Sequence, residues 1–188
     1  MRYTTLGKTE LKVSQATIGT WAIGGAGWGD VNKKESMEAI ETMIERGVNL
    51  IDTAPFYGLG ESEKIVGEVI RDKRDDIVLL TKAGTGWDEK GVPFKRSDYK
   101  SIIKDCEESL QRLKTDYIDL YLIHWPDEVT PIEEMMDAMN KLKQDGKIRF
   151  IGASNFSKEE VLESEKYVSF DVLQHPYSMV AQDFRELL

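Results

Sequence analysis

Four residues of complementary proton chemistry punctuate this sequence: Asp52, Tyr57, Lys82 and His124. Asp52 closes the segment VNLID, and Tyr57 follows five residues later in a turn shaped by Pro55 and Gly58. Lys82 closes IVLLTK and His124 closes YLIH. A carboxylate, a phenol, an ammonium and an imidazole together suit the delivery of a proton to an oxygen that is acquiring negative charge. Reducing a carbonyl demands this, because hydride goes to carbon and a proton must reach the developing alkoxide. Tyrosine is a poor acid near neutrality, with a reference pKa of about 10. A neighbouring Lys82 ammonium favours the phenolate and eases loss of the proton. Asp52 would pair with Lys82 and hold it charged and oriented. His124 would hydrogen-bond the carbonyl oxygen, the donor set together stabilising the forming alkoxide.

Singly, each residue has a plainer role. Asp52 could cap a loop, Lys82 could snorkel to solvent, Tyr57 could be a core aromatic and His124 a satisfied buried histidine. Their joint placement argues otherwise, and it depends on the elements that carry them. Short apolar runs rich in β-branched and aromatic residues occur at 16–21, 48–54, 77–83, 117–125, 147–154 and 170–176, as expected of strands buried on both faces. Amphipathic helical patterns lie between them at 33–47, 61–72, 97–114, 131–146 and 157–167. Ser97 and Ser157 are suited to N-caps, Pro131 to a first helical position, and Gly47 and Gly146 to the residue just past a helix. Ahead of the first long strand, RYTTLG and LKVS read as a small hairpin around Gly7 and Lys8, suited to capping the bottom of a barrel.

Strand and helix in strict alternation imply parallel strands joined by right-handed crossovers. An open sheet concentrates its site at one switch point, whereas a closed barrel collects side chains from all its strands at one mouth. Here Asp52, Lys82, His124, Ser154 with Asn155, and Gln174 end successive strands. The expected fold class is therefore α/β, a (β/α)8 TIM barrel. Only about six βα units plus the N-terminal β-hairpin are present. Such barrels take about 250 residues, and AQDFRELL at the end reads as the opening of a sixth helix. The expectation is a single domain over residues 1–188, the N-terminal part of a truncated barrel.

Composition narrows the function classes. Lys and Arg number 25 against 34 Asp and Glu, a formal charge of −9, with no basic run. Nucleic acid and anionic membranes are thus disfavoured as partners. Cys106 is the single cysteine, so an internal disulfide is excluded, and its helical setting reads as a small apolar core residue. With no apolar run near 18 residues and no signal-peptide pattern, a cytoplasmic location is expected. The sequence fixes no oligomeric state. Two histidines and one cysteine make a metal site an unpromising reading.

The segments GTWAIGG, IDTAPFYGLGESEKIVG, LLTKAG, SLQRLKTDYIDLYLIHWPD and GKIRFIGASNFS span nearly the whole chain. Their combination resembles the aldo-keto reductases, closest to the bacterial stress-protein-like branch. The resemblance implies a barrel that binds an extended NADPH/NADP+ and reduces aldehydes or ketones to alcohols. It implies Tyr57 as general acid, completed by Asp52, Lys82 and His124. It places Ser154, Asn155 and Gln174 at the nicotinamide carboxamide, with Thr20, Trp21 and Asp52 also near the cofactor. A carboxamide offers one acceptor and two donors, which hydroxyl and amide side chains satisfy. Trp28 and Trp125 are the expected substrate contacts. The family's last two βα units, which hold the dinucleotide phosphates, have no counterpart here, so this span is expected to be inactive alone.

The glycine-rich GGAGWGD lacks both the GK[ST] ending and the G-x-G-x-x-G spacing, so it reads as a loop over the site rather than a phosphate cradle. Trp87 reads as a similar loop residue. Two other functions fit the sequence less well: a non-catalytic regulatory or interaction subunit on the same scaffold, and a Schiff-base aldolase acting through Lys82.

Overall fold

The computed structural model describes residues 1–25 and 28–182. Its centre is a six-stranded, wholly parallel sheet in the order β10-β9-β8-β5-β4-β3. These strands are β3 (Ile18–Gly19), β4 (Leu50–Asp52), β5 (Val78–Ala83), β8 (Ile118–Ile123), β9 (Ile148–Ser154) and β10 (Val172–Gln174). The crossovers are α1 (Lys33–Glu45), α2 (Glu61–Ile70), α3 (Tyr99–Leu113), α4 (Ile132–Gln144) and α5 (Lys158–Ser164). All six expected strands and five expected helices are thus present, and the expected opening of a sixth helix lies outside the described residues. No helix among the described residues is long and apolar enough to cross a membrane.

The sheet curls into part of a barrel. Gln174 on β10 donates from Nε2 to Asp52 Oδ2 on β4 at 2.7 Å. Four inter-strand steps separate those strands, about 19 Å in a flat sheet, so the side chains meet only because the sheet closes around them.

Period-two alternation then fixes what faces inward. Leu50, Val78, Leu80, Leu120 and Leu122 form one cluster on the concave face, joined by Phe150 and Val172. Two residues further along their strands come Asp52, Lys82 and His124, and on the same parity Ser154 and Gln174. The opposite face packs on the helices: Ile51 and Leu79 meet Ile40, Ile65 and Val66, while Tyr121 and Ile151 meet Ile102, Met135 and Met139.

The N-terminal strands β1 (Tyr3–Thr5) and β2 (Lys12–Ser14) form the expected antiparallel hairpin. Leu11 and Val13 enter the concave-face cluster, filling the amino-terminal end. Ser14 and Asn49 exchange hydrogen bonds at 2.7 and 3.1 Å, and Lys8 N–H reaches Asp171 O at 2.9 Å. Gly7, at φ +51°, is required there, since a Cβ would lie 2.2 Å from Asp171 O.

Three local readings differ, the slightest being Pro131, which is the N-cap of α4 and not its first helical residue. The cap of α3 is Asp98, whose side chain accepts from Ser101 N–H, not Ser97. Ser97 is instead drawn inward, its N–H to Asp127 and its hydroxyl to Trp125 O. The stretch around Trp87 is not a plain loop but a hairpin, β6 (Thr85–Trp87) against β7 (Pro93–Lys95). Ser157 caps α5 as expected, in a reciprocal box with Glu160.

Candidate active site

Lys82 organises the carboxyl-terminal end of the sheet. It is 1% exposed, and its ammonium donates to Asp52 Oδ1, to Thr53 O at 3.0 Å and to Tyr57 Oη at 3.1 Å. A lysine so deeply buried must have its donors satisfied, and the strand ends supply the acceptors. Asp52 spends its other oxygen on Gln174.

Tyr57 sits in the turn leading to α2, and a contact between two glycines sets its position. A Cβ on Gly24 would lie 2.4 Å from Gly58 N and 2.5 Å from Tyr57 C; one on Gly58, at φ +63°, would lie 2.0 Å from Gly24 O. The segment after β3 therefore presses on the backbone around Tyr57. Trp21 stacks over the phenol with centroids 6.3 Å apart, and Trp28 meets Trp21 edge-on at 5.6 Å.

The ionisation of Tyr57 differs from the expectation. Burial is the largest influence and raises its pKa; the Lys82 ammonium opposes this and Asp52 reinforces it. The net direction is upward, because desolvating a phenolate outweighs one already-paired ammonium. Tyr57 thus holds its proton more firmly than the charge of Lys82 alone implies.

His124 stands across the cleft, edge-on to Tyr57 at 5.9 Å and stacked on Trp125 at 3.7 Å. Burial, and secondarily Lys82, push its pKa down to about 2. It is a neutral imidazole at any ordinary pH, and its Nδ1 is buried without a hydrogen-bond partner.

The remaining expected residues divide. Trp21, Asp52, Tyr57, His124, Trp125, Ser154, Asn155 and Gln174 all line one cleft of about 320 Å³. Asn155, held at φ +58°, donates from Nδ2 to His124 O at 2.9 Å and to Ser154 Oγ at 3.0 Å. Thr20 does not line this cleft. It is wholly buried on the helix side, where its hydroxyl donates to Asp52 O and receives Ser62 Oγ–H at 2.7 Å. Trp28 is not among the described cleft-lining residues and meets Trp21 edge-on; residues 26 and 27 of the glycine-rich loop lie outside the described residues. Phe56, His175 and Pro176 also line the cleft, and the sequence reading gave them no role there. Phe56 could have been inferred from its place beside Tyr57; the other two follow Gln174 into the mouth. Among the described residues no cluster of three or more His, Cys, Asp and Glu could hold a metal.

The donor set fits a primary carboxamide. Ser154 Oγ accepts from Asn155, which leaves its own hydrogen to donate. Gln174 and Asn155 direct their amide nitrogens to internal acceptors, which leaves their carbonyl oxygens to accept. Among the described residues the cleft lining holds no Arg, and Lys82 lies behind it.

A curled parallel α/β sheet with this cluster at its carboxyl ends is a barrel-type enzyme scaffold, and sequence comparison says which. The chain belongs to the aldo/keto reductase family, whose model matches residues 16–188. It is 43% identical to the aldo-keto reductase YhdN of Bacillus subtilis (strain 168) over 99% of this chain and 56% of that protein. It is 40% identical to the NADH-specific methylglyoxal reductase of Escherichia coli (strain K12), over 96% and 60% respectively. The solved glycerol dehydrogenase of Gluconobacter oxydans superposes with a TM-score of 0.90 at 38% identity, covering 99% of this chain and 58% of that one. The chain thus spans somewhat more than half the length of these relatives.

Proposed function

We propose that this chain carries the proton-donating half of a nicotinamide-dependent oxidoreductase that reduces small aldehydes or ketones, with Tyr57 as general acid. The observation that carries the reading is the Lys82 ammonium, bonded at once to Asp52, Thr53 O and Tyr57 Oη. Because Lys82 donates to Oη, the tyrosine keeps its own hydrogen for a carbonyl oxygen in the cleft. When that hydrogen departs, the phenolate left behind faces an ammonium about one hydrogen bond away, which offsets the cost of burial. His124, held neutral, donates an N–H to the same carbonyl oxygen without competing as an acid. Asp52 keeps Lys82 aimed at Tyr57 Oη. The buried, multiply bonded amine of Lys82 argues against a Schiff-base aldolase.

Ser154, Asn155 and Gln174 would hold a nicotinamide carboxamide through the donors and acceptors left free. A bound dihydronicotinamide supplies the hydride. The relatives' names support the substrate class, since one reduces methylglyoxal and another oxidises glycerol. The choice of NADPH follows the family resemblance, while one relative is named NADH-specific. Among the described residues the cleft lining holds no arginine, so the dinucleotide phosphates would draw on basic groups outside that lining, and the 188-residue span alone is expected to be inactive.

The test joins this chain to the C-terminal portion of the Bacillus relative and follows oxidation of NADPH and of NADH with 4-nitrobenzaldehyde. Turnover falling at least a thousandfold in Tyr57→Phe supports the reading. A folded chimaera that does not turn over, or one indifferent to Tyr57→Phe, overturns it.

A further inference from the structure

Asp52 is bonded at both oxygens. Oδ1 receives Lys82, and Oδ2 receives Gln174 Nε2 at 2.7 Å from the far side of the curled sheet. A carboxylate only accepts, so Gln174 must present its NH2 group and turn its Oε1 away. The carboxylate side chain is 17% exposed, which leaves water little access to replace a lost donor. The other titratable groups around it are Lys82 from β5, Tyr57 from the turn after β4, His124 at the end of β8 and His175 after β10.

We propose that Gln174 is a positioning residue for the proton relay: by holding Asp52 Oδ2 it fixes the carboxylate so that Oδ1 keeps Lys82 against Tyr57. This deepens the proposed function and rests on it for its catalytic meaning, but the physical link is testable without turnover. One side chain then touches two processes. Its Nε2 orients the acid, and its Oε1 is the acceptor offered to a carboxamide. Placing a carboxamide and aiming Tyr57 are coupled through a single amide.

Gln174→Glu separates the two ends, because it keeps an acceptor in place and removes the donor to Asp52. Two carboxylates cannot face each other at hydrogen-bond distance while both are ionised, so the pair retains one proton. The experiment is a carbon-13 NMR pH titration of this chain, following carboxyl carbons and the Tyr57 Cζ, the latter assigned by its loss in Tyr57→Phe. In Gln174→Glu a new carboxyl step is expected roughly two pH units above an ordinary glutamate, absent from Asp52→Asn/Gln174→Glu. Tyr57 Cζ should shift in concert with that step, which a merely structural role would not produce. A glutamate titrating normally, or a Tyr57 signal unmoved through the step, overturns the proposal. If Gln174→Glu does not fold, Gln174→Met removes the donor without adding charge, and Tyr57 Cζ at neutral pH decides: a displaced resonance supports the link and an unchanged one sinks it. Failure of the chimaera to reduce aldehydes leaves these resonances unaffected, so the two readings fail separately.

Discussion

Ser62 Oγ donates to Thr20 Oγ1 at 2.7 Å, and this hidden contact anchors the site from behind. Ser62 also lies 3.1 Å from Thr53 Oγ1, and Thr20 bonds Asp52 O at 3.0 Å. All three hydroxyls are fully buried. They tie the ends of β3 and β4 to the first turn of α2, immediately behind the backbone that carries Asp52 and accepts from Lys82.

Ser62→Ala would take away the partner of the buried Thr53 hydroxyl and the donor to Thr20 Oγ1, whose own bond to Asp52 O remains. Stranding buried polar groups costs about 1–3 kcal/mol. Urea unfolding should show that loss, with Ser101→Ala, at the half-buried start of α3, as a milder reference. An unchanged midpoint for Ser62→Ala would refute the anchoring role.

The contact between Gly24 and Gly58 makes a second prediction. Gly24 needs no side-chain-free backbone conformation; its constraint is purely the Tyr57–Gly58 backbone lying within 2.5 Å of where a Cβ would sit. Overpacking of this kind costs about 1–3 kcal/mol. Gly19, with nothing within 4 Å, should tolerate alanine to within about 0.5 kcal/mol. Equal stability of Gly24→Ala and Gly19→Ala would show that the turn simply gives way. Because the same substitution pushes on Tyr57, the Tyr57–Trp21 stack should loosen, read as a change in tryptophan fluorescence.

These contacts mark the boundary of what the sequence disclosed. Asp52, Lys82, His124, Ser154 and Gln174 were legible because strand periodicity puts alternate residues on one face and because each ends a strand. That argument places residues on a rim; it carries no information about partners across it. The Gln174–Asp52 bond joins residues 122 apart and exists only because the sheet curls. Thr20 was misleading for the opposite reason, since its parity turns it to the helix side. The direction of the Tyr57 shift depends on burial, which adjacency to Lys82 does not reveal. The β6–β7 hairpin was masked by three-residue strands among glycines and a proline, the composition of a loop.

Cys106 should behave as a core methyl-sized group. It is fully buried, and burial pushes its thiol up to about 12, so almost no thiolate exists near neutrality. Labelling by a thiol-reactive disulfide at pH 8 should be at least a hundredfold slower in the folded chain than in urea. Rapid native labelling would mean that α3 opens readily from the sheet.

His124 makes the chain sensitive to mild acid, and the sign is worked from its depressed pKa. In the folded chain it stays neutral down to about pH 2, whereas in the unfolded chain an ordinary histidine takes a proton near pH 6.5. Between those values the unfolded state binds more protons. Stability from this residue is therefore complete above about pH 6.5 and is lost as pH falls, by up to about 1.4 kcal/mol per unit. The window from pH 6.5 to 5 is the informative one, because ordinary carboxylates have not yet titrated. His175, the other histidine, is also pushed down by burial, so His175→Asn is needed to subtract its share. Urea midpoints should fall across this window in the wild type and in His175→Asn, and much less in His124→Asn. A slope that survives His124→Asn would mean that the imidazole reaches solvent in the native state, and the neutral donor assigned to it would be lost with it.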